Sequence, residues 1–123
     1  MRYLTARKRA EGKGASHTGT HHHWSMTLSS VGLAFLVPVW LYMFGRALGQ
    51  SRDGVLETFS HPFPAIVSAL VLVIGMRHFA KGAQTAIEDY AHGATRAALI
   101  MAANAAAYLT IAAGLYALIK LAL

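Results

Sequence analysis

No cysteine occurs in the 123 residues, so disulfides, thiolate-bound zinc and iron–sulfur ligation by this chain are excluded. Any redox centre here must use histidine or methionine. Charge is also scarce: 13% of residues are charged and 55% hydrophobic, whereas a soluble domain carries about a quarter charged residues. That balance points to an integral membrane protein. The net charge of +6 would suit nucleic acid, but five of the eleven Lys and Arg precede residue 14 and flank an apolar body. Positive-inside orientation accounts for them, and no nucleic-acid partner is expected. No nucleophile–base pair, phosphate loop or HExxH motif is present.

What is there is three apolar runs. A spanning helix needs roughly 20 mostly apolar residues, and three of them use nearly all the chain beyond a polar N-terminus. The sequence predicts a basic, His-rich cytoplasmic tail over 1–26 and a three-helix membrane anchor over 27–123, an all-α membrane protein with helices at about 27–48, 64–88 and 97–122. The first run begins after Trp24, is too long for a signal-peptide core and has no small-residue cleavage site before Gly45, so it is expected to be retained. Pro38 within it is tolerated better in a membrane helix than in a soluble one. Gly49 to Pro64, with Arg52, Asp53, Glu57 and two prolines, reads as a loop. The second run is irregular. Its apolar body, Ala65 to Met76, is too short to span, and a full crossing must continue through Arg77, His78, Lys81 and Gln84. Glu88 to Arg96 reads as a polar connection, and the third run is rich in alanine, which permits close helix contact.

An imidazole inside a spanning segment is costly unless a partner, a cavity or a metal satisfies it, so His78 is the leading candidate for chemistry. Spacing leaves two readings open: a haem ligand, or a histidine hydrogen-bonded between helices. Gly75 and Gly82 flank it on nearly the same face and suit either a flat macrocycle or a closely packed helix. Asp89 follows His78 by eleven residues, which returns it to within about 20° of that face, roughly 16 Å further along. Tyr90 beside it could donate a hydrogen bond to a lipid-soluble ligand or simply anchor the interface. His21, His22 and His23 are adjacent but define no coordination geometry, and with Trp24 they suit the headgroup boundary.

The stretch His78-Phe-Ala-Lys-Gly82 and, after six intervening residues, Asp89-Tyr90 resembles the signature of the smaller hydrophobic anchor subunit of succinate dehydrogenase, respiratory complex II. Gly19-Thr20 followed by histidines and Trp24, and His61-Pro62 before the second run, add to the resemblance, which covers nearly the whole chain. It implies three helices packed with a larger cytochrome b-type anchor subunit, beside iron–sulfur and flavoprotein subunits that oxidise succinate. It implies His78 as one axial ligand to the iron of a haem b, the other coming from the larger anchor, and a ubiquinone site at Tyr90 and Asp89. One departure stands out. Many members carry an arginine near the start of the first helix for a haem propionate, where this chain offers Thr27, Leu28, Ser29 and Ser30. Ser29, Ser30, a tail histidine or a partner arginine are the substitutes. Fumarate reductase is the near alternative. A free-standing transporter with Arg77, His78, Lys81 and Glu88 along a polar path is the distant one. The Lys and Arg bias places the N-terminus in the cytoplasm and the C-terminus in the periplasm of a bacterial inner membrane.

Overall fold

In a bilayer the backbone must satisfy its own hydrogen bonds, which only helices and closed barrels achieve. The computed structural model, which describes residues 5–7 and 19–123, takes the helical solution. Its described helices are α1 Gly19–Ala47, α2 Arg52–Ser60, α3 Pro62–Tyr90 and α4 Gly93–Ala122. Helices α1, α3 and α4, of 29, 29 and 30 residues, are long and apolar enough to cross a membrane. At 1.5 Å per residue each reaches about 43–45 Å, enough for the hydrocarbon core and both headgroup layers.

Three boundaries differ from the sequence reading. Helix α1 begins at Gly19, ahead of the expected Thr27, so the three histidines and Trp24 form its opening turns. The stretch read as a loop contains α2. Its N-cap Ser51 accepts a hydrogen bond from the Gly54 backbone N–H at 3.3 Å, and Asp53 in the first turn complements the helix dipole. Val55, Leu56 and Phe59 give α2 an apolar side, and it packs against α3 and α4. Gly49, at φ 81, turns the chain between α1 and α2 in a left-handed conformation that suits glycine. The expected polar connection is mostly helix end, because only Ala91 and His92 separate α3 from α4.

Helix α3 is central. It packs against α1 on one side and α4 on the other, while α1 and α4 do not meet. The α1–α3 pair is antiparallel in a steady register: His22 lies with Thr85, Ser29 with His78, and Trp40 with Ser68. Small or trimmed side chains hold the contacts, namely Ala47, Val67, Ser68, Ala80 and Ala107, all buried. Large apolar side chains such as Phe35, Leu109 and Tyr116 point outward, at least 70% exposed, as lipid permits and water does not.

Candidate functional site

A cleft of about 240 Å³ lies between α1 and α3, and Ser25, Ser29 and Gly32 line it from the first helix while Arg77, His78 and Lys81 line it from the second. Positions 25, 29 and 32 are spaced by four and three residues and therefore share one face of α1. His78 is half-buried, and its Nδ1 lies 2.9 Å from Ser29 Oγ. The serine proton is directed at the Ser25 and Met26 carbonyls, each 2.9 Å away. A hydroxyl has one proton to give; when it goes to a carbonyl, Ser29 accepts from Nδ1–H, the tautomer in which His78 Nε2 keeps its lone pair.

Gly75 and Gly82 do not open this cleft. A Cβ added at either would stand 3.9 Å from an α1 side chain, Leu33 or Met26, so both serve close packing of α1 on α3. The open glycine is Gly32, where an added Cβ meets nothing within 4 Å. Sequence reasoning overlooked it. Its signal is the 25–29–32 spacing, which becomes meaningful once α1 and α3 are in register.

Lys81 donates from Nζ to Ser25 Oγ, which ties its ammonium across the mouth of the cleft to α1. Among the described residues no carboxylate lies within 4.0 Å of Arg77 or Lys81; the ion pair found there joins Arg52 to Asp53, both exposed. Glu88 instead accepts from Gln84 Nε2 at 2.8 Å and is exposed near the end of α3, away from His78. Ser30 turns aside and donates to the Met26 carbonyl, and His22 meets Thr85 at 3.3 Å. The histidines of α1 are brought together with no other candidate ligands, and no cluster of three metal-ligating side chains occurs among the described residues.

Asp89 and Tyr90 are not brought to His78. Helix α3 runs unbroken to Tyr90, its last residue, about 18 Å beyond His78. Both side chains are exposed, Tyr90 at 88%, where α3 reaches the level at which α1 begins. The arrangement thus has two places: a half-buried imidazole in the cleft between α1 and α3, and an exposed phenol and carboxylate at the end of α3.

The family described as Succinate dehydrogenase/Fumarate reductase transmembrane subunit matches residues 1–117. The chain is 46% identical over all of its 123 residues, and over 95% of the relative, to the succinate dehydrogenase hydrophobic membrane anchor subunit of Paracoccus denitrificans. No solved structure matches it. With three apolar spans and agreement over the full chain, this protein belongs to the Succinate dehydrogenase/Fumarate reductase transmembrane subunit family, among the membrane anchors of succinate dehydrogenase.

Proposed function

We propose that this chain, with a larger cytochrome b-type anchor subunit, holds haem b through His78 Nε2 and forms part of a ubiquinone site at Tyr90 and Asp89. The observation that carries the haem reading is the Ser29–His78 hydrogen bond at 2.9 Å, which engages Nδ1 and leaves Nε2 as the nitrogen available to a ligand. Metal-bound imidazoles ordinarily have their second nitrogen held by such a partner, which fixes the tautomer and the ring plane. The residues fit a planar group: Gly32 leaves its side of the cleft bare and α1 never reaches α4, so the cleft is not closed by a third helix of this chain. His78 would supply one ligand to the haem iron, and the larger anchor would supply the other. Bound there, haem b supplies a one-electron carrier within the membrane.

Tyr90 donates a hydrogen bond to a quinone oxygen at the cytoplasmic end of α3, and Asp89 orders the polar edge of that pocket. The iron–sulfur subunit docks on this end and the flavoprotein beyond it, with the assembly in the bacterial inner membrane. The relative's name favours succinate oxidation over fumarate reduction. The test is the optical spectrum of the purified four-subunit complex. His78→Ala should abolish bis-histidine b-type absorption and lower haem content per flavin. An assembled His78→Ala complex with unchanged absorption and full haem sinks the assignment.

A further inference from the structure

Two cations, Arg77 and Lys81, stand within the candidate span α3, and among the described residues no carboxylate pairs with either. Arg77 is exposed on α3, but Lys81 is half-buried and held by Ser25, in the same cleft as His78. An ammonium in the hydrocarbon region is costly unless an anion or a chain of polar groups receives it. A lysine near an interface usually escapes by extending toward the headgroups. Lys81 instead reaches sideways to α1, nine residues and about 14 Å short of Tyr90. That geometry leaves an ammonium beside the cleft in need of an anion.

The position relative to the imidazole identifies the anion. Lys81 follows His78 by three residues, about 4.5 Å along the axis and 60° around it, and both side chains line the same cleft, so a group held there by His78 has the ammonium within the same lining. A haem carries two propionate carboxylates at its rim. Resting on the haem reading above, we propose that Lys81, tethered by Ser25, is the positioning residue that pairs with a haem propionate. The cation that family resemblance leads one to expect as an arginine on the first helix is then supplied from α3. Ser29, at the place where that arginine would be sought, orients His78 instead.

A redox titration of the haem in the assembled complex decides the matter. Removing the ammonium leaves the propionate uncompensated and stabilises ferric haem, so the midpoint potential falls. In Lys81→Met the ferric-to-ferrous ratio at fixed poise should rise about tenfold, equivalent to a fall of about 59 mV for one electron. Lys81→Arg should retain most of the parent potential, which a purely structural role for the lysine would not require. Lys81→Gln, which keeps a polar end for Ser25, replaces Lys81→Met if the latter fails to assemble. Parent complex lacking b-type absorption refutes the haem reading itself. Haem present in both, with coincident titration curves for parent and Lys81→Met, refutes the Lys81 contact alone and returns the ammonium to another anion such as a lipid phosphate.

Discussion

A tyrosine at the last residue of a membrane-spanning helix ordinarily anchors the interface, and the exposure of Tyr90 agrees with that role. The proposed quinone contact makes a sharper demand: loss of the hydroxyl must slow quinone chemistry and nothing else. A neutral hydrogen bond contributes about 0.5–1.5 kcal/mol, and about 3 kcal/mol if a buried oxygen is left unpaired. Tyr90→Phe should therefore reduce ubiquinone roughly a few-fold to a hundred-fold more slowly, at about 1.4 kcal/mol per tenfold. Succinate oxidation with a soluble acceptor that bypasses the membrane should stay near normal. Equal rates with ubiquinone across limiting concentrations would return Tyr90 to the interface. At this scale the sequence is partly legible. His78 declares itself because an imidazole within a span needs a reason. Ser29 does not, since its neighbour Ser30 carries the same hydroxyl and only the packing of α1 on α3 turns one inward and the other away.

At the scale of the element, the three spans are legible from apolar length alone, while their ends are not. Helix α2 escapes a reading by composition because Arg52, Asp53 and Gly54 look like a turn, yet they are the first turn of a helix capped by Ser51. The partner surfaces of the spans escape it too, since alanine and glycine mark several faces of α4 equally. The contact with α3 selects one. A Cβ on Gly114 would stand 2.4 Å from Leu72 Cδ2, so α4 approaches α3 with a leucine seated on a bare backbone. Gly114→Ala asks only that the tip of Leu72 rotate, whereas Gly114→Leu must separate the helices. Overpacking of this kind costs about 1–3 kcal/mol. Thermal unfolding of the detergent-solubilised complex should show a clear loss for Gly114→Leu and a smaller one for Gly114→Ala. Adding Leu72→Ala to Gly114→Leu should restore part of the loss; strictly additive effects would mean that the two side chains do not meet.

At the scale of the whole molecule, three antiparallel spans in an open row divide the charge between two ends. The end where α1 begins and α3 meets α4 is joined to the five Lys and Arg before residue 14 and carries Arg96, while Arg77 and Lys81 lie within α3 on the half nearer that end. The other end has Arg46 and Arg52, with Lys120 in the last turn of α4. Three crossings would put the two termini on opposite sides, and the orientation proposed here, with the more basic N-terminal end in the cytoplasm, follows from that bias. The same end holds Asp89 and Tyr90, so orientation and electron delivery from soluble subunits are one claim and stand or fall together. The chain has no cysteine of its own, which makes single introduced thiols unambiguous reporters. In intact cells stripped of their outer membrane, an impermeant maleimide should label Asp53→Cys and Leu123→Cys, both at exposed positions. It should reach Gly14→Cys only after the membranes are inverted. Labelling of Gly14→Cys and Leu123→Cys from one side would break the three-span topology. Labelling of all three from the sides opposite to those expected would keep the topology and reverse the orientation, moving Tyr90 to the face where no succinate-oxidising subunit can deliver electrons to it.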